Sequence, residues 1–406
     1  MIKKIPVSTL RPGMYVHDLN AGWLAHPFLF SSFKVHKQEE IERIVTAGIR
    51  ELYIDTERGL DVADAPTREA VEARLTQELE AVMRQPPAKL ARVEVSAELS
   101  RAQQIKRQAH SVVRSIMSDV RLGKAVELAQ AETVVETITE SVLRNNGALI
   151  GLMGIKNKDD YTFLHSVSVC ALMVAFAQAR GCADETVRIA GLGALLHDTG
   201  KMLVPDAVLN KPGRYTEEEF AVMKKHPEDG WRLLKEIPDI DEIALDIVLH
   251  HHERLDGTGY PHGLAGDQIA PLTQMSAIVD VYDAITADRV YHQGVTAPEG
   301  LRKLWEWSNH HFQPELVQSF IRMVGIYPVG SLVRLESGRL AVVMQQHDSH
   351  LMTPQVKVVF STRSNAYVPP EEVDLSLGVG HGGADRIIGH EDARKWRIDT
   401  TRYLQA

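Results

Sequence analysis

Imidazole and carboxylate side chains recur through the middle of the chain in a pattern that could bind metal. They are His165, the adjacent His197 and Asp198, His226, the pair His251 and His252, and Asp280. These are ligand types for borderline and harder divalent ions such as iron, manganese, zinc or cobalt. Seven such groups exceed what a single ion needs and suit two, about 3.5–4 Å apart, with a carboxylate such as Asp198 able to bridge them. Any one of these histidines taken singly is more often a packed or exposed residue than a ligand. The set carries the weight, because its members fall at the ends or apolar faces of successive helices, where burial penalises uncompensated polar groups. His250 makes a triple with the pair and is read as the non-ligand member, since it lies further back in its helix.

Charge accounting points to a phosphate substrate. Two divalent ions bring four positive charges, while Asp198 and Asp280 return two, so the site is electropositive within an acidic protein. A water bridging two such ions loses its proton near neutral pH and becomes an attacking hydroxide. Lys201, one turn beyond His197, could stabilise developing charge or protonate the departing oxygen. The plainer reading of Lys201 is that it neutralises a helix C-terminus, worth a few tenths to about 1 kcal/mol.

The elements that must position these groups read as helix after helix from about residue 131. Val135, Ile138 and Val142 recur at helical spacing, and the stretch 163–179 is apolar on nearly all sides, as a helix in a domain centre should be. Thr216 and Glu219 form a capping box, which predicts a helix starting there and running towards His226. Further helices are expected over Ile247 to His252, broken by Gly257, Gly259 and Pro261, and over Leu272 to Ala287. Residues 1–62 read as a small α/β regulatory domain, with strand pieces around the turn at 11–13, a short helix at 41–45 and a strand at 51–54. Residues 63–130 read as a helical connector, with no chemistry assigned to its charged face. After Tyr327 the period changes: 329–346 alternates around Ser337 and Gly338 as a hairpin, and 354–361 adds a third strand. The expected fold is therefore mainly α, with a catalytic helical domain over 131–328 and a β-rich extension over 329–406.

Composition bounds the rest. The chain has 406 residues, 44% apolar and 24% charged, with a formal net charge of -9, which disfavours coating a nucleic-acid polymer. Cys170 and Cys182 are the only cysteines, so a disulfide framework is not expected and a reducing compartment fits. The start lacks the apolar stretch of a signal peptide, and the run from Val167 to Ala179 reads as too short to span a bilayer. The expectation is a cytoplasmic protein without membrane insertion.

The motifs HDTGK at 197–201, NKPGR at 210–214, HP at 226–227, HHERLDGTGYP at 251–261 and DVYDAITADR at 280–289 resemble the HD-GYP subgroup of the HD phosphohydrolases. The resemblance covers roughly residues 131–325 and is specific, because the motifs appear in order at suitable separations. Residues 1–60 are similar to the small domain of unknown function often found ahead of HD-GYP domains. The resemblance implies metal-dependent hydrolysis of cyclic di-GMP, a bacterial second messenger, at a centre usually loaded with iron or manganese. It implies that His165, His197, Asp198, His226, His251, His252 and Asp280 are ligands, with Asp198 and Lys201 catalytic. Lys201 corresponds to the family lysine near the scissile phosphate, and Arg289 to an arginine that contacts phosphate or guanine. Lys211 and Arg214 fall in a matching motif and join the substrate-binding set, as do Gly259, Tyr260 and Pro261, whose loop could also meet a signalling partner. A homodimer is compatible with this reading.

The chain departs from the family pattern in places. Some members carry a glutamate one turn before the first histidine, holding a third metal; here that position is Tyr161, which points to two metals. Val290 and His292 stand where proline and a permanent cation are common, which would weaken a phosphate contact or make it pH-sensitive. Gln313 replaces a common aspartate. Two alternatives follow: a receptor that binds cyclic di-GMP without cleaving it, and an HD phosphohydrolase acting on another nucleotide.

Overall fold

The chain runs β1 (Ile2–Pro6), β2 (Tyr15–Asp18), β3 (Phe33–Lys34), α1 (Gln38–Thr46), β4 (Glu51–Asp55) and α2 (Arg68–Met83). Long helices follow: α3 (Val95–Arg121), α4 (Leu128–Met153), α5 (Tyr161–Ala179) and α6 (Asp184–Leu196), then a 3-10 turn over Thr199–Leu203. Next come α7 (Asp206–Leu209), α8 (Glu217–Met223), α9 (His226–Leu234), α10 (Glu242–His250), α11 (Pro271–Thr286), α12 (Ala297–Trp307) and α13 (Pro314–Val324). Strands β5 (Leu332–Leu335), β6 (Arg339–Gln345), β7 (Gln355–Ser361), β8 (Ala366–Asp374) and β9 (Ile387–Glu391) precede the short helices α14 (Ala393–Trp396) and α15 (Thr400–Leu404). This computed structural model describes residues 1–21, 28, 32–83, 93–153, 161–288, 293–308, 310–347, 351–377 and 385–404.

Two compact units emerge: residues 1–78 with 204–225, and residues 79–203 with 226–406. In the first, an antiparallel sheet of order β1-β4-β2-β3 packs Val16, Leu52 and Ile54 against Ile44 of α1. Val7–Thr9 forms a 3-10 turn rather than strand. The β1 ladder stops at Pro6, and Thr9 Oγ1 donates to the Pro6 carbonyl at 2.8 Å, closing the turn. The segment 204–225 joins this unit although it lies within the expected catalytic stretch.

In the second unit α5 forms the centre. Val167, Cys170, Val174 and Phe176 are fully buried, and Phe176 meets Phe320 edge-on at 5.3 Å. Each such apolar side chain contributes about 1.5–3 kcal/mol by leaving water. The apolar run Val167 to Ala179 belongs to a longer helix. The helical window Thr162–Ala179 is 18 residues long with mean hydropathy 1.6, enough by composition to cross a bilayer. Its apolar faces are used internally, with 78% of the window buried. Helices α3 and α4 are locked by the buried Glu98 carboxylate, which accepts from Ser141 Oγ at 2.9 Å and Arg144 Nε at 2.6 Å. Residues 95–121 are thus packed core of this unit, not a free connector.

The C-terminal sheet has order β8-β7-β6-β5-β9, all antiparallel. The expected hairpin and third strand are its middle strands. Strands β8 and β9 escaped the sequence reading; Pro369 and Pro370 in β8 argue against a central strand, and β8 indeed lies at the sheet edge.

Candidate metal centre

Each of the seven side chains arrives on a separate structural cue. His165 projects from buried α5, His197 caps the C-terminus of α6 with Asp198 following, and Asp280 sits within α11. His251 caps α10 and His252 comes next. The helix expected to run towards His226 ends earlier, at Met223, after a capping box with both halves formed. His226 instead opens α9, because Pro227, which lacks an N–H and has a fixed φ, suits the first turn of a new helix.

The fold brings the seven together. His226, His251 and His252 form one group, His165, His197 and Asp280 a second, and His197, Asp198 and His251 a third. Within each group one donor atom per residue lies within 4.8 Å of the others.

Hydrogen bonds at Nδ1 fix the imidazole tautomers. Nδ1 of His197 donates to the Ala194 carbonyl at 2.7 Å and Nδ1 of His251 to the Val248 carbonyl at 2.9 Å. His165 Nδ1 pairs with Asp283 Oδ2 at 2.6 Å. Each ring therefore turns an Nε2 lone pair inward, the pattern by which outer carboxylates and carbonyls orient metal-binding histidines. Nε2 of His226 and of His251 lie 3.3 Å apart. Among the described residues, His197 Nε2 and Asp198 Oδ1 are buried without a hydrogen-bond partner. Unpaired acceptors at such depth are costly unless a cation uses them, so the donor set fits divalent ions.

Asp198 stands between the groups. Its Oδ1 is 3.4 Å from His226 Nε2 and 3.9 Å from His251 Nε2. Its Oδ2 is 3.4 Å from His197 Nε2, 3.7 Å from His165 Nε2 and 2.5 Å from Lys201 Nζ. Burial works to raise the Asp198 pKa, but the charges of His197 and Lys201 overcome it and hold the carboxyl well below its usual range. Asp280 is likewise held low, with burial opposed by the His165 hydrogen bond and charge. His251 and His252 are driven well below the ordinary imidazole value, first by burial and then by neighbouring imidazoles. They are neutral at pH 7, as ligation requires.

Two residues that sequence reasoning passed over support the cluster. Asp283 is buried and holds His165; its signal was a carboxylate three residues after Asp280 on the same helix. Asp283→Ala is expected to weaken metal binding about 10- to 100-fold, read by chelator competition. Glu253, also buried, accepts from the backbone N–H groups of His262, Gly263 and Leu264 at 2.7, 3.1 and 3.0 Å. It fastens the loop bearing Gly259, Tyr260 and Pro261. In that loop the Tyr260 ring lies 4.7 Å from the His252 ring. Gly259 packs so closely that a Cβ would fall 2.4 Å from Glu253 Cα.

Gly200 fixes the approach of the His-Asp turn to α9. A Cβ there would stand 1.9 Å from the His226 carbonyl oxygen and 2.5 Å from Gly230 N. Gly200→Ala must push α9 away, costing roughly 1–3 kcal/mol or more. The expected result is a lower Tm together with lost metal content.

Lys211 pairs with Glu219, and Arg214 donates to the Phe28 carbonyl, both within the unit containing residues 1–78. Arg289, Val290 and His292 lie outside the described residues, as does the Tyr161 side chain. His250, read as a non-ligand, pairs through Nδ1 with Asp246 at 2.7 Å and through Nε2 with His262 at 2.9 Å.

Residues 153–316 match the family described as HD domain, and residues 2–131 match a domain of unknown function, DUF3391. A Pseudomonas aeruginosa protein named cyclic di-GMP phosphodiesterase PA4108 is 46% identical over 399 residues, 98% of this chain and 94% of that protein. The chain belongs to the HD-GYP family. A second relative, the Xanthomonas campestris protein named cyclic di-GMP phosphodiesterase response regulator RpfG, is 35% identical over 56% of this chain and 58% of its own length. A Vibrio cholerae protein named 3'3'-cGAMP-specific phosphodiesterase 2 is 35% identical over 39% of this chain and 30% of that one. Membership of the HD-GYP family implies divalent metal binding, and the buried His/Asp groups supply the ligand types for it.

Proposed function

We propose that the chain is a cytoplasmic phosphodiesterase that hydrolyses cyclic di-GMP at a centre of two divalent ions, iron or manganese. The observation that carries this reading is Asp198, whose two oxygens face different imidazole groups, His226 and His251 on one side and His197 and His165 on the other. A carboxylate so placed suits a bridge between two cations. His165, His197 and Asp280 would serve one ion, and His226, His251 and His252 the other, around Asp198. Bound there, the ions supply Lewis acidity toward the phosphoryl oxygens and bring the pKa of water near neutrality. The name borne by the full-length P. aeruginosa relative supports the substrate.

The chain's own residues do the rest. Lys201, with 17% of its side chain exposed, extends from the buried cluster towards solvent and can meet a phosphate there. Its ammonium can hold a non-bridging oxygen and give a proton to the departing ribose oxygen, so that the P–O bond breaks without expelling an alkoxide. The loop fastened by Glu253 presents Tyr260 beside His252, where its ring could stack on a guanine. Residues 1–62 serve in this reading as a regulatory unit docking a signalling partner.

A second substrate follows from the V. cholerae relative, which matches this chain at the same 35% identity as the X. campestris one. Parallel assays on cyclic di-GMP, 3'3'-cGAMP and linear guanine nucleotides decide. The expected result is preferred cleavage of cyclic di-GMP. Preference for 3'3'-cGAMP would move the substrate, and cleavage of linear nucleotides alone would make the chain a general HD phosphohydrolase.

A further inference from the structure

The loop after α10 folds back on the His/Asp cluster and is tied to two helices by a chain of side chains outside it. Thr273 of α11, itself buried, donates its hydroxyl to Asp246 Oδ2 on α10. The other oxygen of Asp246 accepts from His250 Nδ1 at 2.7 Å, one turn further along the same helix. That bond puts the proton of the neutral ring on Nδ1 and leaves a lone pair on Nε2. His250 Nε2 faces His262 Nδ1 at 2.9 Å, so His262 is the donor there. Donation thus runs in one direction, from His262 through His250 to Asp246. With 13% of its side chain exposed, His250 is held between its two partners and is not a solvated surface imidazole.

The segment tied in this way covers His252. His262 follows Pro261 directly, and the residue before that returns to the cluster. Tyr260 N donates to the His252 carbonyl at 3.2 Å, and the Tyr260 ring lies 4.7 Å from the His252 ring at 34° to it. The other imidazoles are oriented differently. His197 and His251 are fixed by Nδ1 bonds to backbone carbonyls, and His165 by one to Asp283. Among the described residues the His252 ring has no hydrogen-bond partner, and Asp280 Oδ2 stands 3.7 Å from its Nδ1. Its orientation rests on ring contacts with His226, His251 and Tyr260, of which Tyr260 alone is outside the ligand set. Glu253 holds the backbone of 262–264 from within the loop, while His250 holds the same residue, His262, to α10. Two attachments from different elements stop the loop from pivoting about either one.

We infer that His250 and His262 are positioning residues for His252: their hydrogen bond ties the loop to α10 and keeps the Tyr260 ring against His252, which strengthens binding of the ion served by His226, His251 and His252. The inference rests on the two-metal reading. It gives a role to the one member of the His250–His252 triple that the ligand set does not use.

The test follows release of each ion from the full-length, manganese-loaded protein to a competing chelator. His262→Phe keeps a ring beside His250, now 5.2 Å away, but removes the donor. It is expected to weaken one of the two ions about tenfold, the lower end of the range for a lost outer partner of a metal-binding histidine. The other ion and Tm stay at the wild-type values. His262→Asn, whose Nδ2–H stands where the imidazole Nδ1–H stood, restores most of the affinity. His250→Phe produces the same loss, and the double variant no more than either single one, since both act through one bond. Retention of both ions by His262→Phe as in wild type overturns the inference. So does equal weakening of both ions with a lowered Tm, or a His262→Asn variant no better than His262→Phe. Wild-type protein that binds fewer than two ions overturns the two-metal reading itself, and this inference with it.

Discussion

Replacing Asp198 by alanine is expected to abolish turnover and to strip metal from the protein. The carboxylate places one oxygen 3.4 Å from His226 Nε2 and the other 3.4 Å from His197 Nε2, so its loss removes the anion shared by both imidazole groups. It also leaves Lys201, now 2.5 Å from Oδ2, without its counter-charge near His197 and His252. An uncompensated cation at such a site adds repulsion to the lost ligation, and breaking a buried pair from one side costs about 3–5 kcal/mol. His197→Ala should behave alike, because its tautomer, set by the Ala194 carbonyl, presents a lone pair to two of the three ligand groups. Metal content by elemental analysis and hydrolysis on the same preparations check this. Normal activity in either variant would remove these residues from the site.

Lys201→Ala is expected to separate binding from chemistry. Asp198 keeps both oxygens, and removing a cation from Oδ2 strengthens rather than weakens its pull on divalent ions, so the metals stay bound. The rate should nonetheless fall by roughly two to four decades, the range for a lost general acid. Lys201→Arg keeps the charge but not the compact ammonium able to release a proton, and should recover substrate binding with little of the rate. A Lys201→Ala enzyme with unchanged kcat would confine this residue to neutralising Asp198.

The ligand cluster was legible because its members differ in type from their surroundings. Histidines at the ends of α6 and α10, and within apolar α5, stand out against the sequence around them. Periodicity located those helices, but not the close approaches that assemble them. Gly200 against the His226 carbonyl is a contact across 26 residues, and nothing local announces it. Asp283 and Glu253 were overlooked for a related reason. A buried carboxylate looks like a solvated one until its partners, an imidazole in one case and three backbone N–H groups in the other, are seen.

Segment 204–225 marks the other limit. Its capping box at Thr216 was readable, yet its membership in the unit with residues 1–78 depends on long-range pairs such as Arg214 with Phe28 and Arg43 with Glu217. The motif resemblance implies Lys211 and Arg214 as substrate-binding residues; in the structure Lys211 pairs with Glu219 and Arg214 donates to the Phe28 carbonyl. The 3-10 turn at Val7–Thr9 and the edge strand β8 show the same thing on a smaller scale: proline, not hydrophobic alternation, set those local outcomes.

Whether the His/Asp cluster is a two-metal hydrolytic centre is tested by hydrolysis of cyclic di-GMP with protein purified anaerobically and bound metal quantified on the same sample. The account predicts about two divalent ions per chain, as a bridging carboxylate between two imidazole groups implies, together with turnover. Protein that takes up no metal after reconstitution with iron or manganese would contradict the reading of the cluster, and metal-loaded protein that binds the dinucleotide and leaves it intact would contradict its catalytic role.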